Sequence, residues 1–171
     1  AVSTGCEKES TTVATLTIQE LGDLNFLREE EKLARDVYLF SFDKYGEKIF
    51  NNIASSEQTH MDRVLDLLVK YNKPDPASSI IGVFNNSTLQ TLYNDLTKLS
   101  DSSLTMAYIV GATIEDLDIK DIALNEGRTT KTDILDVYSK LKCGSTNHMR
   151  GFYSKTVEQN ATYIPQFISQ D

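Results

Sequence analysis

Residues 24–45, LNFLREEEKLARDVYLFSFDKY, run without a proline or glycine and are rich in good helix formers. A stretch of that length and make-up has one ready solution, a long α-helix, and Gly46 supplies its stop. The pattern then repeats. In residues 50–71, Phe50, Ile53, Ala54, Met61, Val64, Leu67, Leu68 and Tyr71 follow the three-then-four spacing of an amphipathic stripe. Pro74, Asp75 and Pro76 end that helix, and the polar residues 78–87 read as a long crossover to a short helix at 88–99. Residues 104–125, closed by Gly127, and 132–157, read as interrupted at Gly144, complete the long helices. Strand-like alternation is absent. The expected fold is all-α: a bundle of four long helices with the crossover between the second and third, plus one short extra helix.

With 171 residues the chain is expected to form one domain. Three parts are set apart: a flexible, Ser/Thr-rich polar segment at 1–19, the bundle at 20–160, and a C-terminal arm at 161–171. In the arm Pro165 forbids helix continuation, so Tyr163, Ile164 and Phe167 are expected to pack back over the bundle. A net charge of −8 argues against nucleic acid as a partner, since phosphate repels an acidic surface. No apolar run is long enough to span a bilayer. Whether the protein is cytoplasmic or exported after signal removal stays open. So does the state of Cys6 and Cys143, which suit a disulfide in an oxidising compartment and free thiols in a reducing one.

Two histidines are present, His60 and His148. Glu57 and His60 both fall inside the apolar stripe of the second helix, where a charged group needs a compensating partner; a shared cation is one such partner. On the first helix the inward stripe of Leu27, Glu31, Ala34 and Tyr38 takes up Glu31, while Glu29 and Glu30 are expected to face solvent. The third long helix carries Glu115 and Asp118 on the stripe of Tyr108, Gly111 and Ile122. The fourth carries His148 with Ile134, Tyr138, Leu141, Ser145 and Phe152. Each long helix thus offers an inward ligand near its middle, and the expected metal ligands are Glu31, Glu57, His60, Glu115, Asp118 and His148. Tyr38 and Tyr108 are read as core packing with a place at the pocket as the alternative, and Arg35 and Arg150 as partners of surface acids.

These residues resemble a known family. Glu31, with alanine three and tyrosine seven positions later, is similar to the first-helix ligand motif of ferritins and rubrerythrins. Glu57-Gln-Thr-His60 matches their second-helix motif, and Glu115 with Asp118 resembles the third. In the fourth helix the family carries a second Glu-x-x-His, where this chain has Ser145-Thr-Asn-His148. The segments LREEEKLARDVY, NIASSEQTHM and GSTNHMRGF look like a prokaryotic branch of ferritin-like domains. The resemblance implies a ferritin-like four-helix bundle with a carboxylate-bridged pair of metal ions. Iron is the first expectation and manganese or zinc the alternatives. Glu31, Glu57, Glu115 and Asp118 bring four negative charges against the four positive charges of two divalent ions.

The function this implies is oxidase or peroxidase chemistry or iron handling. A rubrerythrin also carries a Cys-x-x-Cys iron centre, which is missing here, so an external electron donor is implied. The competing expectation is a non-enzymatic helical module that binds a partner and uses one structural metal or none. A homodimer is compatible with both.

Overall fold

The computed structural model describes residues 15–168, and among them the chain forms five α-helices and no strand. They are α1 (Ile18–Tyr45), α2 (Lys48–Lys70), α3 (Ser87–Ser100), α4 (Leu104–Glu126) and α5 (Thr132–Glu158). Cys6 lies outside the described residues, and with it the question of a pairing with Cys143, which is exposed on α5. No helix of the described chain is long and apolar enough to cross a membrane.

Local chemistry sets the ends. The first helix starts at Ile18 rather than near residue 24, so residues 18 and 19 belong to its first turn. Thr17 and Glu20 form a capping box, in which the Thr17 hydroxyl accepts from the Glu20 N–H at 3.1 Å and the Glu20 carboxylate accepts from the Thr17 N–H at 2.8 Å. At the other end Gly46 adopts φ 69° and returns its N–H to the Phe42 carbonyl. Asn86 and Ser103 cap α3 and α4 through their side chains. Gly144 does not interrupt α5, which runs through it.

Glu20 also ties the start of α1 to the turn between α4 and α5, accepting from Thr129 at 2.7 Å and from Lys131 at 2.8 Å. Burial pushes its carboxyl up, but the Lys131 and Thr129 side chains overcome this and hold it at about 2. A carboxyl depressed by folding adds stability above its unfolded value and loses it as pH falls through the folded one. The contribution is therefore complete above about 4.5 and fades toward about 2. Urea midpoints of wild type and Glu20→Gln are expected to differ at neutral pH and to converge in that acidic window.

α1 packs along α2, α4 packs along α5, and α1 also meets α4 while α2 meets α5. α3 lies across α1 and α4. Two apolar clusters result. One gathers Leu33, Val37, Tyr38, Phe50, Ala54, Tyr108 and Phe152; the other gathers Leu24, Leu27, Val64, Leu68, Ile122, Tyr138 and Leu141. On each of the four long helices the break between the clusters falls on polar residues: Glu31, then Glu57 and His60, then Glu115 and Asp118, then Ser145 and His148.

The expectation that Glu29 and Glu30 face solvent is overturned, for both are only 3% exposed. The reason lies in what covers α1. Its outer side is closed over by the crossover and by α3, so α1 has almost no free face along its middle. Glu29 accepts the N–H groups of Asn85 and Asn86 at 2.7 and 2.9 Å and so fastens the chain entering α3. Arg28 grips Asp75 with two hydrogen bonds at 2.7 and 3.0 Å. Lys32, wholly buried, donates to Asp36 at 2.6 Å and to the carbonyls of Ile80 and Val83, while lying 4.3 Å from the centre of the Phe84 ring. Asp36 in turn accepts from the Gly82 N–H and from Arg35. These charges hold the crossover to α1, which an apolar stripe does not foretell.

The arm is fixed by one buried acid. Asp116 accepts from the Tyr163 hydroxyl at 2.7 Å and from the N–H groups of Gln166, Phe167 and Ile168. Tyr163 joins the core and Phe167 packs down with one side only, whereas Ile164 stays largely exposed, contrary to the expectation that all three pack down. One carboxylate that collects four donors settles where the arm lies, so its path follows hydrogen bonding more than apolar burial.

Candidate metal centre

The polar layer between the two apolar clusters is built from one or two side chains of each long helix. α1 brings Glu31, α2 brings Glu57 and His60 one turn apart, α4 brings Glu115 and Asp118, and α5 brings His148. All four acids are at most 5% exposed. The ligand atoms of Glu31, Glu57 and His60 lie within 4.8 Å of one another, as do those of Glu57, Glu115 and His148. Glu57 belongs to both groups, and its two oxygens divide between the histidines. His60 Nδ1 sits 2.8 Å from Oε2 and His148 Nδ1 sits 2.7 Å from Oε1. The two imidazole rings lie near one another, with centres 5.5 Å apart.

Asp118 stands outside both groups. It accepts from the hydroxyl of Ser145, the residue that occupies the fourth-helix glutamate position in the resemblance, through one carboxylate oxygen. The other oxygen is left without a partner. Tyr38 belongs to this layer, donating to Glu115 at 2.6 Å, whereas Tyr108 stacks on Phe50 away from it. Arg35 bonds to Asp36 and Gln58, and Arg150 is exposed, so neither touches the cluster.

The charges explain why the cluster is poised for a cation. Burial pushes the Glu57 carboxyl up, but the facing His148 and His60 rings hold it at about 2. Burial disfavours the charged form of His60, yet Glu31 and Glu57 raise it to about 11; Glu115 and Glu57 likewise raise His148 to about 10. Burial and the Glu57 charge push Glu115 up to about 8. Burial raises Asp118 too, against the Ser145 hydroxyl, to about 7, and burial with the Asp118 charge drives Glu31 well above the usual carboxylate range. Two imidazolium ions and shared protons thus balance acids that cannot all ionise together without a counter-charge. A divalent cation displaces such protons, because carboxylates and neutral imidazoles are the ligating forms.

Do these residues suit a metal? Four buried polar atoms of the layer lack a hydrogen-bond partner: Glu31 Oε1, Glu57 Oε1, Asp118 Oδ1 and His148 Nδ1. Each comes from a different long helix. His148 Nδ1 and Glu57 Oε1 are close in distance but misaligned as donor and acceptor. Unpaired atoms this deep cost free energy unless something they share satisfies them, and oxygen donors with two imidazoles form a set that suits iron, manganese or zinc.

Sequence periodicity passed over two further residues. Glu30 is buried beside the layer, with neither carboxylate oxygen hydrogen-bonded; burial and the charges of Asp118 and Asp121 push it well above the usual range. A signal existed, because Glu30, Leu33 and Val37 repeat a three-then-four spacing of their own. Gly144 is the second. A Cβ there would lie 2.5 Å from His60 Nε2, so α5 leaves the His60 ring its room only with glycine at this position. Gly144→Ala is expected to displace the ring and weaken metal retention by about tenfold or more while the helices persist, as read by equilibrium metal titration and circular dichroism.

Fold and site together define a class: an all-helical protein with a buried carboxylate and histidine cluster assembled from four helices. The chain belongs to the family described as Uncharacterized protein domain (DUF2202), which matches residues 20–171. It is 51% identical over 146 residues to Uncharacterized protein MJ0754 of Methanocaldococcus jannaschii, covering 85% of this chain and 79% of that one. The crystal structure of hypothetical protein MJ0754 from Methanococcus jannaschii DSM 2661 superimposes with a TM-score of 0.90 at 48% identity, over 94% of this chain and 93% of that one.

Proposed function

We propose that the four long helices form a ferritin-like bundle whose inner layer holds two divalent cations, iron by first choice, in a protein that reacts with oxygen or peroxide or handles iron. The observation that carries this reading is the division of Glu57 between two three-residue groups, one with Glu31 and His60 and one with Glu115 and His148. When bound at such a site, iron supplies one-electron exchange with oxygen species. The chain's own residues then have separate tasks. Glu57 ties the two halves to one another. Glu31 with His60, and Glu115 with His148, would hold one cation each. Tyr38 orients Glu115 by its hydroxyl, and Ser145 steers Asp118 so that its free oxygen is left for the cations. The apolar clusters above and below keep bulk water from the layer. Electrons come from outside, since Cys6 and Cys143 form no Cys-x-x-Cys motif.

The test is anaerobic loading with ferrous iron, counting metal per chain by plasma mass spectrometry and following the spectrum as air is admitted. About two irons per chain are expected in the wild type and far fewer in a His60→Ala, His148→Ala double variant, with an oxygen-dependent spectral change. Less than one equivalent and a silent spectrum would defeat the reading.

A second reading has an observation of its own. His60 and His148 approach Glu57 to 2.8 and 2.7 Å, so as imidazolium ions they offset its charge without any cation, as suits a non-enzymatic bundle with a structural metal or none. Stripping metal with a chelator separates the two. A structural metal lowers the melting temperature on removal, whereas a reactive centre loses its spectral response and keeps most of its stability.

A further inference from the structure

Between α3 and the α1–α4 pair lies a cavity of about 70 Å³. Its walls are Leu33 of α1, Leu92 and Leu96 of α3, Ile114 of α4, Phe167 of the arm, and the side chain of Glu30. Thr113 also borders it but donates its hydroxyl to the Ile109 carbonyl within α4. Glu30 is therefore the one lining side chain with unsatisfied polar atoms.

Size and lining restrict the guest. A buried water needs roughly two to four polar partners, and a single carboxyl does not supply them. The volume is roughly half of the ~150 Å³ that accommodates benzene, which leaves room for a molecule of two or three heavy atoms. Position adds the rest. Glu30 and Ile114 are the chain neighbours of Glu31 and Glu115, so the cavity backs onto the same two helices that carry those acids inward.

We propose that this cavity docks dioxygen, a small neutral apolar molecule of fitting size, and that the guest reaches the cluster along the seam beside Glu30. The inference rests on the oxygen reading above, and the experiment keeps the two apart. Crystals of the full chain under xenon gas probe the cavity without metal. In parallel, iron-loaded wild type, Leu92→Phe, which fills the space from α3, and Leu92→Ala, which enlarges it, are compared for metal content and for the rate of oxygen-dependent oxidation. Leu92 contacts none of the proposed ligands, so iron content is expected to stay at the wild-type level in both variants. Xenon is expected between Leu33, Leu92 and Ile114, with oxidation several-fold slower in Leu92→Phe and undiminished in Leu92→Ala. A cavity empty of xenon overturns the proposal, as does an iron-replete Leu92→Phe that oxidises at the wild-type rate. Xenon in place with no iron in the wild type fails the metal reading and removes the route, while a gas-binding cavity stands. If Leu92→Phe does not fold, Leu96→Phe fills the same space from α3 and is read in the same way, and xenon occupancy still decides whether the cavity takes a gas.

Discussion

Glu57→Gln is expected to lower the metal affinity of the whole cluster by about a hundredfold or more, with smaller losses for Glu31→Gln or Glu115→Gln. Glu57 alone belongs to both ligand groups, and it is the acid of the layer held ionised, at about 2. An amide of the same shape keeps the packing but removes the charge that faces both His60 and His148. Each imidazole then loses one of the two acids that raise its basicity, and two divalent cations would lose one of the four charges that balance them. Isothermal titration with manganese or zinc measures the loss without redox chemistry. Equal losses for Glu57→Gln and Glu31→Gln would show that the two halves do not share Glu57.

The largest effect on stability is expected away from the layer, at Asp36. Asp36→Ala leaves the buried Lys32 ammonium with backbone carbonyls alone and releases the Gly82 N–H and Arg35. Breaking a buried pair from one side costs about 3–5 kcal/mol, because the remaining charge keeps its desolvation penalty. In a chain of this size that lowers the melting temperature by about 10 °C or more. Replacing both partners with apolar residues, as in Lys32→Met with Asp36→Leu, is expected to recover part of the loss, since the Lys32 ammonium is then no longer buried unpaired while Arg35 and the Gly82 N–H still lack Asp36. Urea denaturation of the three proteins decides it. A single-variant cost below about 1 kcal/mol would mean that the pair does not anchor the crossover.

Much of this architecture is legible in one dimension because a helix is a local structure. The windows free of proline, and the stops at Gly46 and Gly127, locate the long helices to within a few residues, and the one large miss, the start of α1, carries a Thr17 to Glu20 capping box that could have been read. Glu31, Glu57, His60, Glu115, Asp118 and His148 were legible as inward residues for the same reason. Each breaks an apolar stripe whose phase is set by 3.6 residues per turn. Their phase says which way they point and stops there. It does not tell that Glu57 is divided between two histidines, or that Asp118 bonds to Ser145.

The sequence by itself determined the helices, their order and the set of polar residues aimed inward, all of which follow from periodicity and capping within a few turns of chain. Tertiary structure decided the rest. Glu29, Glu30 and Glu31 are consecutive in sequence, yet one fastens the crossover, one borders a cavity and one enters the carboxylate and histidine layer. Helical phase sets Glu31 apart, but nothing local tells Glu29 from Glu30, because adjacent positions on a helix point about 100° apart and each fate depends on what packs there. Only the crossover, α3 and α4 closing around α1 turn Glu29 and Glu30, which read as a solvated face, into buried acids, since the free energy of a charge is set by its neighbours in space and not along the chain.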